Sequence, residues 1–150
     1  MRKLWLTIVV LLATLTAMAQ PRAIGGRIGY GVEASYEHAF GESNMISIDA
    51  GFPGFNGTHV VATYDWIFPF KSWSGEGEWN WYAGPGLGTG LWNFNEPHFM
   101  IGAAGRIGVE YTFWFPLQLS IDYRPILGVK GNEFFSEGLF FGSIAARYRF

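Results

Sequence analysis

The sequence predicts an all-β fold: an eight-stranded antiparallel up-and-down transmembrane β-barrel, preceded by a cleaved signal peptide. Three observations carry that expectation. The 150-residue chain is 49% hydrophobic and 19% aromatic but only 15% charged, and it contains 21 glycines. From Ala23 onward, apolar residues recur with a period of two between short runs rich in Gly, Pro, Asn and Ser, and no helical period survives. Each strand can be phased so that one face carries no charge. Scarce charge, many aromatics and abundant glycine exclude a disordered chain and an ordinary soluble helical domain. With no cysteine there is no disulfide scaffold and no thiolate zinc site. A net charge of -2 offers no electrostatic footprint for nucleic acid.

Residues 1–19 read as the signal peptide: Arg2 and Lys3, an apolar run from Leu4 to Leu15 broken only by threonines, then Ala17-Met18-Ala19 as the cleavage site. The run is short of the ~18 to 20 apolar residues a spanning helix needs. The remaining 20–150 form one barrel domain, exported and mildly acidic, with eight basic and twelve acidic residues and a net charge of -4.

The strands expected are 23–28, 32–38, 45–52, 59–68, 79–91, 98–112, 117–126 and 139–150. The first two are separated at Gly29-Tyr30-Gly31, a three-residue hairpin loop with glycine at the left-handed position, which pairs Ile28 with Val32 on the apolar face. An unbroken first strand is the alternative, leaving seven strands unless another hides in 127–136. Chain parity makes 113–116 a short turn on the side of the termini and 127–138 a long loop on the opposite, outer side. Residues 69–78 form a longer turn than such barrels usually have on the terminal side.

Sorting the faces decides which way the barrel looks. The uncharged face includes Ile24, Ile28, Val32, Ile48, Phe52, Val60, Trp66, Leu87, Ile107, Ile121, Ile144, Tyr148 and Phe150. The opposite face holds Arg27, Glu33, Glu37, Asp49, Asp65, Arg106, Glu110, Asp122, Arg124, Arg147 and Arg149 among serines and glycines. A soluble lipocalin-like barrel would turn the apolar face inward, and a membrane barrel would turn it to lipid. Small residues dominate the charged face, notably Gly84, Gly86, Gly88, Gly90, Gly102 and Gly108, which suits the narrow interior of eight strands. Both mature-chain lysines, Lys71 and Lys130, fall in expected loops, so the polar face would make an odd solvent surface. Aromatics gather at strand ends as two girdles: Tyr36, Trp66, Phe68, Trp79, Trp81, Tyr111, Tyr148 and Phe150 on one side, and Phe52, Trp92, Phe99, Tyr123 and Phe140 on the other.

The C-terminal run Ser143-Ile144-Ala145-Ala146-Arg147-Tyr148-Arg149-Phe150 resembles the terminal-strand signal by which Gram-negative outer-membrane barrels are recognised for assembly. Ser143, Tyr148 and Phe150 match it, and Ala145 stands where glycine is usual. With RIGYGVEASYEH, NWYAGPGLG, IGVEYTF and PLQLSIDYRP, the mature chain resembles small eight-stranded outer-membrane barrels of the OmpA/OmpX-like type. That resemblance implies a monomer in the bacterial outer membrane, with outer-membrane lipid and the barrel-assembly machinery as partners and no cofactor. It leaves open a ligand for the outer loops.

The charged face is the candidate site. Arg27, Glu33, Asp49, Asp65, Arg106, Glu110, Asp122, Arg124, Arg147 and Arg149 are expected to form a structural charge network that plugs the lumen, since unpaired charges in so narrow a space are costly. Some barrels of this size are lipid-modifying enzymes that use serine, histidine and a carboxylate near the outer rim. Here His38, His59 and His98 form no His-x-Ser pair, so no catalytic residue is expected. The GPGLGTG run lacks the Lys-Ser/Thr of a phosphate loop. Glu96, Asn132, Glu133 and Glu137 match no calcium-loop spacing, and no metal is expected. The function expected is a non-catalytic barrel serving envelope integrity or binding through its outer loops. A narrow porin-like pore is the alternative, and a lipid-modifying enzyme the third reading.

Overall fold

The computed structural model describes residues 21–70 and 75–150. The expected signal peptide and Lys71 lie outside them. Six strands form a simple meander: β1 (Arg22–Ile28), β2 (Gly31–Phe40), β3 (Asn44–Pro53), β4 (Gly57–Pro69), β5 (Glu78–Trp92) and β6 (His98–Thr112). Each pairs antiparallel with the next. Ile28 faces Val32 across the first turn, so the unbroken-strand alternative falls away; the expected left-handed glycine is not found there, and Gly29 and Gly31 instead make room for Ser143 and the Phe52 carbonyl.

The last two staves are each built from two strands. β7 (Leu117–Tyr123) and β8 (Ile126–Lys130) lie end to end along β6 in one register, with Tyr123 opposite Ile107 and Ile126 opposite Ala104. The interruption is chemical: Gly105 donates its N–H to the Pro125 carbonyl at 3.1 Å, and proline has no N–H to return the bond. β9 (Glu133–Glu137) pairs with β8, and β10 (Gly142–Arg149) lies between β7 and β1. Ile126 faces Glu137 while Tyr123 faces Gly142, so two extra residues bulge out between β9 and β10. Pairing of β10 with β1 joins the chain ends and closes an eight-stave ring.

Two expectations are corrected here. The long outer loop at 127–138 is a hairpin instead, with Gly131 at φ 59 in its two-residue turn, the position where glycine has no steric penalty. Lys130 therefore ends a strand and places its ammonium 5.1 Å from the Trp92 ring centre. Residues 139–141, expected in the last strand, belong to the bulge, which opens with Gly138 at φ 71.

The orientation of the faces is unambiguous. Ile28, Leu87, Ile121 and Ile144 are 62–67% exposed, whereas Asp65 and Arg147 are no more than 1% exposed. A continuous apolar belt outside and buried charge inside is the reverse of a soluble barrel, and such a surface is stable only against lipid. Aromatic pairs mark the end that carries the termini: Phe68 stacks on Trp81 at 4.1 Å, and Trp79 packs on Tyr111 at 4.9 Å. At the far end Phe52 approaches Phe94 and Tyr30 approaches Phe141. Tyr123, expected in that far girdle, lies mid-stave because its stave runs on to Lys130, and it donates its hydroxyl to the Leu139 carbonyl in the bulge.

Candidate functional site: the charged lumen

Alternation delivers the charges to the lumen, and closure of the ring brings them together. Arg27 donates to Asp122 at 2.6 Å and also pairs with Glu33. Arg124, from the kink before Pro125, reaches across to Asp49 at 2.5 Å and to Glu33. Arg106 meets Glu37 at 2.9 Å and Asp65 at 3.1 Å, with its guanidinium 4.4 Å from the Tyr82 ring centre. Arg147 pairs with Glu37 at 3.2 Å and donates to the hydroxyls of Ser35 and Ser120. The arginines are forked donors, so each can hold two partners on different staves, which a point-like ammonium does less well.

Neutral groups complete the network. Tyr82 donates its hydroxyl to Asp122 at 3.2 Å, and Thr63 donates to Asp65 at 2.8 Å. Gln118 bridges Glu37 and Glu110, and Asn80 donates to Glu110 at 3.2 Å. Gly108 makes room for Tyr82: a Cβ there would lie 2.5 Å from the tyrosine oxygen. Gly84 does a different job: a Cβ there would run into the Tyr64 carbonyl and the Asp65 Cα, so it allows close approach of β4.

Nine of the ten expected network residues lie in the buried lumen. Arg149 is the exception: it stands half-buried at the mouth on the terminal side and makes no ion pair with any described residue. As the last residue of β10 it lies beyond the acids deeper in. Two members were missed. Glu137, assigned to an outer loop, points inward from β9 and is buried. His59, not counted in the expected network, is buried with Nε2 facing Glu33 and Nδ1 2.8 Å from Glu137. A tight turn at Gly131-Asn132, between outward Val129 and outward Phe134, was the available sign that 127–137 continues the alternation and turns Glu137 inward.

Two cavities flank the network. The larger, about 540 Å³, opens at the terminal side and is floored by Glu37, Glu110 and Gln118. The smaller, about 20 Å³, lies at the far end among Arg27, Glu33, His59, Arg124 and Glu137. Arg106, Arg147, Tyr82, Asp49, Asp65 and Asp122 line neither, because they occupy the space between. Beyond the charges, Val61, Ala104 and Ile126 form a small apolar cluster with Phe135 packed on it, a lid of hydrocarbon inside the far mouth. Of the assembly-signal residues, Ser143 faces the lumen opposite Asp122, while Tyr148 and Phe150 point outward and stack 6.5 Å apart.

Two solved structures are similar to this chain to different degrees. The N-terminal β-barrel domain of Pseudomonas aeruginosa OprF superposes with a TM-score of 0.56 at 13% identity, over 87% of this chain and 96% of that one. Neisserial surface protein A gives a TM-score of 0.49 at 16% identity, over 87% of this chain and 92% of that one. No protein-family model matches the sequence, and no curated protein matches it. The superposition on the OprF domain shows a shared β-barrel fold.

Proposed function

We propose that this chain is an integral outer-membrane barrel of Gram-negative bacteria, exported by its N-terminal signal, that acts without catalysis as a sealed structural element of the envelope and presents its far rim for binding. The observation that supports this best is the cross-braced plug: four arginines tie staves to one another across the lumen, with Arg106 and Arg147 in the stretch between the two cavities. A filled eight-stranded interior leaves little room for a water path. The non-catalytic reading rests on His59, whose two ring nitrogens both face carboxylates, leaving neither to accept a serine proton. The binding reading rests on the far rim, where Phe55, Phe94, Phe134 and Phe140 are all exposed.

The test combines membrane fractionation with a gel comparing boiled and unboiled protein, followed by single-channel recording on refolded material. Outer-membrane recovery, heat-dependent mobility and a silent bilayer are expected. A soluble product without that mobility change would end the membrane reading, reproducible conductance steps would replace the plug by a pore, and altered lipid A acyl chains in cells carrying the protein would make it an enzyme.

A further inference from the structure

The far mouth is closed by an element with an unusual attachment. β9 is hydrogen-bonded to β8 on one edge, and no described strand pairs with its other edge, because the β1–β2 hairpin turns back at Gly29 and Tyr30 before reaching its level. Glycines in left-handed geometry bracket it, Gly131 at φ 59 and Gly138 at φ 71, and both chain ends of the strand are therefore at turns. Two side chains hold it to the lumen. Phe135 packs on the Val61, Ala104 and Ile126 cluster, and Glu137 reaches His59 on β4.

The second contact is conditional on a proton. A neutral imidazole has one N–H, so it can serve one carboxylate as donor and must present a lone pair to the other. His59 sets Nε2 against Glu33 and Nδ1 2.8 Å from Glu137, the latter off the line of a hydrogen bond, so the ring matches both carboxylates in charge only when each nitrogen carries a proton. The two acids are not equivalent. Glu33, on β2, is also held by Arg27 from β1 and by Arg124 at the β7–β8 kink, which in turn carries Asp49 of β3. Glu137 meets no other cation among the described residues, and its second oxygen is buried without a hydrogen-bond partner. Tyr30, in the adjoining turn, is the remaining titratable group facing this pocket.

We propose that His59 is a pH-operated latch: doubly protonated, it ties β9 to the lumen wall, and loss of one proton releases Glu137 and lets the β8–β9 hairpin swing away from the far mouth. After deprotonation Glu33 keeps its arginines, whereas Glu137 is a buried carboxylate facing a lone pair, a state relieved by turning out to water. The sign follows: the closed form is complete at low pH and is lost as pH rises through the titration of His59. Opening widens the small cavity and bares Arg27 and Arg124 to the outside. The latch rests on the fold alone and holds whether or not the rim binds a partner.

Because the chain has no cysteine, a pair of spin labels can be placed cleanly, one on Asn132→Cys in the hairpin turn and one on Asn95→Cys in the neighbouring turn. Distances are measured on the refolded full barrel in lipid nanodiscs at about pH 5 and about pH 9, either side of the usual histidine range. A single short distance at low pH and a growing longer population at high pH are expected, with the open-to-closed ratio changing about tenfold or more. Glu137→Gln, whose amide can bond either form of the ring, should abolish that response. Should this variant fail to fold, His59→Lys, which stays charged across the range, should abolish it equally. A distance distribution that does not change with pH, or a response that survives in both variants, overturns the latch.

Discussion

The central lumen and the cavity on the terminal side are made from the same kinds of residue and behave differently. In the buried lumen Arg27, Arg106 and Arg124 each bridge two carboxylates from other staves, and Arg147 joins Glu37 to two serine hydroxyls: Arg106 alone meets Glu37 and Asp65 over the Tyr82 ring. A few residues away, among the described residues, Glu110 is served by the amides of Asn80 and Gln118 alone, and Arg149 finds no acid. The difference is water. Where the walls close in, a charge must be paired or hydrogen-bonded, as buried Glu110 is by its two amides, and where about 540 Å³ of open space adjoins half-buried Arg149, water takes the partner's place. Charge balance counted over a whole face thus says little about pairing. Among the described residues the buried lumen holds four arginines and His59 against seven carboxylates, while Arg149 stands at the mouth.

That contrast makes graded demands on substitutions. Arg106→Met should cost most, about 3–5 kcal/mol, since it strands Glu37 and Asp65 in a dry interior. The measure is urea unfolding of the folded barrel in lipid vesicles; an unchanged midpoint would mean that the central charges are as well hydrated as those at the mouth. Gly108→Ala should come next at about 1–3 kcal/mol, because the added methyl meets Tyr82 and the strand cannot retreat. Tyr82→Phe removes one hydroxyl from Asp122, which retains Arg27, and should cost about 1 kcal/mol by the same measurement. Arg149→Met should fall within about 0.5 kcal/mol of the parent, as expected for a mouth residue without an ion pair. A larger loss there would show that the terminal cavity is as demanding as the centre.

Much of this was legible before any coordinates. Alternation fixes which side of a strand each residue takes, so the phase of all eight staves, the Ile28–Val32 turn and nine of ten lumen charges follow from local sequence. What local sequence does not contain is how far two strands run together. The expected strand stops at residue 126, just past the break in the hydrogen-bond ladder at Pro125, yet the register against β6 continues to Lys130. Glu137 and His59 lie 78 positions apart and meet only because the ring closes. Phe135 is the one bulky aromatic on the charged side of its strand, and it makes sense only beside Val61 and Ile126 from other staves.

The wall of this barrel is uneven in height. β5 and β6 run for 15 residues each, while β1 has seven, and the outward side chains remain apolar to the top of the tall side at Leu91, Phe99 and Ile101. A bilayer of uniform thickness cannot match both sides at once. The molecule must lean, or the lipids around it must stretch beside β5 and β6 and thin beside β1, each at a cost of fractions of a kcal/mol per Å. Such a collar of unequally stretched lipid gives a round protein a front and a back, so neighbours crowding the same membrane would meet it in preferred orientations without touching it.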